Sequence, residues 1–172
     1  MIYFIADTHF NDVNILDFGP RKFDSIYHMN NTIIKNWNDT LSDDDTIFVL
    51  GDIGKEIDKH PECVLETILS NLKGKKILIK GNHDKYISNI DKIGFDKVYD
   101  YPICIEDFYW LSHEPMFLNQ HMPYVNIHGH IHSNLIMTNP SKNNKYVNVS
   151  VEMIDYIPMS FDKIKARFKG DI

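Results

Sequence analysis

Lys76-Ile77-Leu78-Ile79-Lys80-Gly81-Asn82-His83-Asp84 joins an apolar run of strand length to a turn carrying an amide, an imidazole and a carboxylate on successive residues. The run stops at a glycine, which permits the tight turn and close backbone approach needed where a strand end faces a ligand. The same plan stands twice upstream. Ile2 to Ala6 ends at Asp7-Thr8-His9, and Thr46-Ile47-Phe48-Val49-Leu50 ends at Gly51-Asp52. Between these runs, Ile26, Met29, Ile33, Ile34 and Trp37 recur at helical spacing, which predicts a helix from Ser25 to about Leu41 with Asp24 as its N-cap. Asp43-Asp44-Asp45 is a turn, and Pro61 suits the first turn of a second helix reaching Leu72. Strand, helix, strand, helix, strand is the pattern of buried parallel strands joined by helices.

The second half is richer in strand signals: Val98 to Tyr101, Phe108 to Leu111, Tyr124 to Ile127 and Tyr146 to Val151. Turn residues such as Asn139-Pro140-Ser141 and Asn143-Asn144 separate them, and Phe161 to Phe168 reads as a closing helix. Ser112-His113 and Gly129-His130-Ile131-His132 again follow apolar runs. Two packed sheets with helices outside accommodate this order, and residues 1–172 read as one domain.

The chain has 172 residues, 43% hydrophobic and 24% charged, the balance of a soluble globular protein long enough to bury a core. No apolar run approaches the ~20 residues of a membrane span, and the first six residues read as a strand rather than a signal peptide. Cys63 and Cys104 stand far apart in no metal or redox spacing, so reduced, buried thiols in a cytoplasmic protein are expected. A net charge of −6 argues against a sequence-independent nucleic-acid binder, although bound divalent ions would add positive charge where a phosphate docks. The basic groups Lys73, Lys75, Lys76, Lys80, Lys85 and Lys163, Lys165, Arg167, Lys169 read as solvated faces.

Open α/β sheets place ligands beyond the carboxyl ends of their strands. On extended backbone, residues i and i+2 point the same way, so Asp7 with His9, and His130 with His132, could each grip one ion. Carboxylate and imidazole with one amide suit manganese, iron or zinc better than magnesium or calcium, and no cysteine stands in these motifs to suggest a structural zinc cluster. Asp7, His9, Asp52, Asn82, His113, His130 and His132 would give two ions four protein bonds each if Asp52 bridges. Such a pair, ~3.5–4 Å apart, can hold an attacking hydroxide and clamp both oxygens of an in-line displacement at phosphorus. His83 is left over at the rim and can protonate the leaving oxygen as general acid. Asp84 could orient His83 or hold the turn. His128 could support the ligands or simply pack. Arg21, near Gly19-Pro20, is either a phosphate clamp or a solvated loop residue.

The ordered set D-x-H, G-D, G-N-H-D, H and G-H-x-H resembles the signature of the calcineurin-like metallophosphoesterase superfamily, from Met1 to about Ile157. It looks most like the small single-domain bacterial and phage members, with which Ala6-Asp7-Thr8-His9-Phe10 and Asn148-Val149-Ser150-Val151-Glu152 agree. The resemblance implies a four-layer α/β/β/α sandwich with two packed mixed sheets and a dimetal site at the strand C-terminal edge. It implies Asp7, His9, Asp52 and His132 on one ion, Asp52, Asn82, His113 and His130 on the other, and His83 as general acid. Asn11-Asp12 departs from the glycine and histidine that small members often carry there. The function expected is hydrolysis of phosphate esters with two divalent transition-metal ions, manganese first, with iron, zinc or nickel as alternatives. A small phosphodiester or nucleotide is favoured as substrate. The rivals are a nuclease of the same superfamily and a non-catalytic metal-binding or interaction module. Monoester, diester, cyclic nucleotide and pyrophosphate present similar oxygens, so the motifs define a reaction centre rather than a substrate.

Overall fold

A computed structural model of the chain describes residues 1–19, 21–56, 64–119, 121–134, 136 and 145–168. The continuous apolar runs form a parallel core: β1 (Ile2–Ile5), β2 (Thr46–Val49), β3 (Lys75–Ile79) and β4 (Lys97–Tyr99). With the antiparallel β9 (Met159–Ser160) they make a five-stranded sheet in the order β4-β3-β2-β1-β9. The second sheet has the order β5-β6-β7-β8, from β5 (Ile103–Ile105), β6 (Tyr109–Leu111), β7 (Val125–His128) and β8 (Tyr146–Asn148). Within it β5 is antiparallel and the rest parallel. The expected α/β sandwich of two packed mixed sheets is therefore observed.

Helix α1 (Ile26–Thr40) buries Met29, Ile33 and Trp37 as one stripe, and the Trp37 indole donates to the Lys73 carbonyl at 2.9 Å. Its N-cap is Ser25, not Asp24, because the Ser25 hydroxyl accepts the free His28 N–H three residues on. Helix α2 (Leu65–Ser70) ends before the expected Leu72, and the expected start at Pro61 lies outside the described residues. Helix α3 (Phe161–Arg167) is capped by Ser160. Its first residue links the sheets, since the Phe161 ring lies 5.4 Å from Phe4 of β1 and 4.9 Å from Tyr109 of β6. The outer face of the second sheet is held under chain from 114–118. Buried Asn126 accepts the Met116 N–H, and the Tyr146 hydroxyl receives the Leu118 N–H and donates to the Met116 carbonyl. Cys104 is exposed rather than buried, because β5 is an edge strand; Cys63 lies outside the described residues.

β8 stops at Asn148 rather than running to Val151, because the chain there leaves its sheet to pair with the other. Ala6 N–H donates to the Val149 carbonyl at 2.9 Å and Val151 N–H to the Ala6 carbonyl at 3.1 Å. This bridge sews the two sheets together where β1 and β8 end. Gly129 fits into the same seam. A Cβ there would stand 2.4 Å from Ala6 Cβ and 2.5 Å from Asp7 Oδ2. Gly129→Ala must therefore force the sheets apart, and overpacking of this kind costs about 1–3 kcal/mol. Urea unfolding should show a lower midpoint, equivalent to a loss of about 1–3 kcal/mol in unfolding free energy. A midpoint equal to that of the parent chain would mean that the seam is loose.

Candidate metal centre

Asp7 and His9 follow β1, Asp52 follows β2, and Asn82, His83 and Asp84 follow β3. His113 follows β6, while His130 and His132 follow β7. All of these segments lie at the carboxyl edge of the parallel strands, where the seam joins the sheets. The backbone there is not extended, as the i, i+2 argument assumed. Asp7, His9, Asn11, Asp52, His130 and His132 have φ of 57°, 48°, 64°, 54°, 69° and 50°. These left-handed conformations are tolerated best by Asp, Asn and His and still cost of order 1 kcal/mol each. They are held by hydrogen bonds between the loops: Asp7 N–H to the Gly51 carbonyl, His9 N–H to the Asp52 carbonyl and Phe10 N–H to the Ile53 carbonyl. Gly51 has φ +83°, and a Cβ on it would stand 2.4 Å from His113 Nδ1.

The changed backbone redistributes the ligands. Donor atoms of Asp7, His9 and His132 gather in one group, and those of Asp52, His113 and His130 in another, each within 4.8 Å. Asp7 and His9 do act together, whereas His130 and His132 part, one to each group. Asn82 joins the second group, its Oδ1 3.0 Å from His113 Nε2. Asp52 stands between the groups, with Oδ2 3.7 Å from His9 Nε2 and 3.4 Å from His113 Nε2. Its other oxygen accepts the His83 backbone N–H at 2.9 Å.

The rings are fixed from behind. His113 Nδ1 donates to the Leu50 carbonyl at 2.8 Å, and His132 Nδ1 donates to Glu152 Oε1 at 2.9 Å. His9 Nδ1 faces Asp12 Oδ2 at 3.5 Å. With these protons outside, the remaining ring nitrogens point inward as acceptors. His9 Nε2 and Asp7 Oδ1 are buried without any hydrogen-bond partner. An acceptor so buried is destabilising unless something positive meets it. A set of carboxylate, imidazole and amide acceptors with two orphaned atoms fits divalent transition-metal ions.

The other sequence-predicted residues take separate positions. His83 is exposed, its ring 5.4 Å from that of His9. Asp84 does not reach towards His83 but holds the turn. It is fully buried and accepts the backbone N–H groups of Asp52, Ile53 and Gly81 at 2.7–2.9 Å. Burial pushes its carboxyl up despite these bonds. Arg21 is not a phosphate clamp, because its guanidinium is buried and its donors are engaged. Nε donates to Glu152 Oε1 at 2.6 Å, and the terminal nitrogens donate to the Asp7 and Thr8 carbonyls. His128 packs in β7, donating to the Gly129 carbonyl, and burial pushes its imidazole down. His28 and His121 are exposed, and His60 lies outside the described residues. Sequence reasoning overlooked Asp12 and Glu152 as supports. The Asp12 signal was its i+3 spacing from His9, but Glu152 is remote in sequence from every partner.

Burial would push the His113 imidazole towards neutrality, but the hydrogen bond and charge of Asp52, with Asp7, outweigh it and raise it to about 9. Burial likewise works against the Asp52 carboxylate, and His113 together with the His83 N–H holds it down to about 2. In the metal-free protein this raised imidazole stabilises the fold fully below its ordinary value of 6.5, and the benefit is lost as pH rises through 9. Urea unfolding of chelator-treated protein should therefore show stability falling across that interval. Saturating Mn²⁺ should abolish the fall, because a cation then replaces the proton. A flat metal-free profile would show that His113 and Asp52 are not paired.

Comparison with known proteins agrees with this geometry. The family model for calcineurin-like phosphoesterases matches residues 1–164. An uncharacterized protein of Methanocaldococcus jannaschii is 36% identical over 167 residues, covering 95% of this chain and 88% of the relative. The gene 66 protein of Mycobacterium phage L5 is 32% identical over 82 residues, 48% of this chain and 39% of that protein. Among solved structures, a protein of unknown function from Aquifex aeolicus superposes with a TM-score of 0.74 at 29% identity, covering 97% of this chain and 98% of the other. With the motif order, the paired ligand groups and a family match over nearly the whole chain, this protein belongs to the calcineurin-like phosphoesterase family.

Proposed function

We propose that the chain is a binuclear phosphodiesterase that uses manganese and acts on a small phosphodiester or nucleotide. The observation that carries the reading is Asp52 Oδ2, which stands between two groups of convergent acceptors. Bound there, two divalent ions supply Lewis acidity and a water of lowered pKa. The protein's own contribution is positional. Asp52 Oδ1 takes the His83 N–H and so anchors the general acid to the carboxylate shared by both groups. His83 is exposed and lies within ring contact of His9, which suits a group that protonates a leaving oxygen arriving from solvent.

Charge supports the small substrate. The cluster from Lys73 to Lys85 does not form a track into the site. Lys73 and Lys75 stand at or before the start of β3, ~13 Å of strand from its carboxyl end. Lys76 is turned to the Leu72 and Gly74 carbonyls, and Lys80 is paired with Asp100. The rival nuclease reading would draw on Lys85 and Tyr86, which follow His83; Lys85 Nζ lies 4.9 Å from the centre of the Tyr86 ring.

The test is kcat/KM for bis-nitrophenyl phosphate, cyclic nucleotides, and single- and double-stranded DNA at two salt concentrations, with metal-stripped protein reloaded with Mn²⁺ or Mg²⁺. Mn²⁺ should restore activity better than Mg²⁺, and the small esters should respond weakly to salt. Efficient DNA cleavage that falls steeply with salt, as when several phosphates are neutralised, would favour the nuclease instead. His83→Ala should keep both metals and lose ~10²–10⁴-fold on esters with poor leaving groups, with little loss on nitrophenyl esters. Equal losses on both kinds of ester would remove His83 from the general-acid role.

A further inference from the structure

A neutral imidazole offers a lone pair at one nitrogen only, and the partner of the other N–H decides which. For His132 that partner is Glu152, at 2.9 Å from Nδ1. The Glu152 side chain is buried, and the same Oε1 accepts Arg21 Nε at 2.6 Å. Arg21 in turn donates to the Asp7 carbonyl at 2.5 Å and the Thr8 carbonyl at 3.2 Å. A buried ion pair thus touches the His132 ring, which follows β7 of one sheet, and the Asp7 backbone, which follows β1 of the other. Both belong to the group Asp7, His9 and His132. Among the described residues the second group has no such carboxylate behind it, for His113 leans on the neutral Leu50 carbonyl. We propose that Glu152, held by Arg21, is a positioning residue for the first metal group, keeping His132 protonated at Nδ1 with Nε2 turned to the ion.

The consequence is selective. Glu152→Gln can leave an oxygen where Oε1 stands, still accepting from Arg21 and His132, but it removes the carboxylate charge that favours a proton on His132 Nδ1. Without that charge the Nδ1 proton is held less firmly, and the Nε2 lone pair is a weaker donor to the ion. Loss of such a supporting carboxylate typically weakens a metal site by about 10–100-fold. Asp52, His113 and His130 make no use of Glu152, so the second site should keep its affinity.

The inference rests on the reading of the site as a metal centre, and Zn²⁺ alone serves as the probe for both. Zinc is titrated into the stripped parent chain and Glu152→Gln against a chromophoric chelator, and histidine tautomers are read by nitrogen NMR in the zinc-loaded parent chain. Expected are two equivalents bound by the parent chain, one of them weakened about 10–100-fold in the variant, and a His132 ring protonated at Nδ1 in the parent chain. The NMR arm needs no variant and can still overturn the role if Glu152→Gln fails to fold. A His132 proton on Nε2, unchanged affinity in the variant, or equal weakening of both equivalents would overturn the positioning role. Failure of the parent chain to bind zinc at all would overturn the metal-centre reading itself.

Discussion

Asp7 Oδ1 and His9 Nε2 are buried lone pairs with no protein donor, and Asp52, His113 and His130 turn further acceptors towards the same space. Acceptors crowded in this way repel one another, and each unpaired one costs about 1–3 kcal/mol when buried. The arrangement is stable only with positive charge between the groups, from protons in the stripped protein or from metal ions. Much of the surrounding construction serves to keep these groups together. Two sheets are sewn by the Ala6–Ser150 bridge, Gly129 admits the close approach, and Ser150 Oγ donates to Asp7 Oδ2 at 2.7 Å.

The carboxylates divide into those that face inward and those that hold the loops. Asp7 and Asp52 face the cluster, while Asp84 takes three backbone N–H groups and so shapes the segment that presents Asp52. Asp12 is held by Lys55 Nζ at 2.7 Å and faces His9, and Glu152 is held by Arg21 and faces His132. What each acid does is set by what its oxygens meet. The left-handed residues at Asp7, His9, Asp52, His130 and His132 store strain that these supports balance, which is why loops without regular structure can hold a defined geometry.

β1, β2 and β3 were legible because a strand buried on both faces reads as an unbroken apolar run, and α1 because Met29, Ile33 and Trp37 repeat at helical spacing. β5 and β9 were not, since three and two residues are too few to carry a period. The ligand residue types were legible from motif order, and the family resemblance supplied their assignment. The parting of His130 from His132 was not readable from extended-chain periodicity, because it depends on left-handed backbone at both residues. The supports were the least legible. Arg21 and Glu152 are 131 residues apart, and a guanidinium in a loop looks the same in sequence whether it meets a phosphate or a buried carboxylate.

Shared ligation by Asp52 is the central claim, and anomalous diffraction from crystals soaked in Mn²⁺ tests it most directly. Two peaks ~3.5–4 Å apart are predicted, one among Asp7, His9 and His132, the other among Asn82, His113 and His130, with Asp52 Oδ2 in contact with both. A single peak, or two peaks without the Asp52 carboxylate between them, would contradict it.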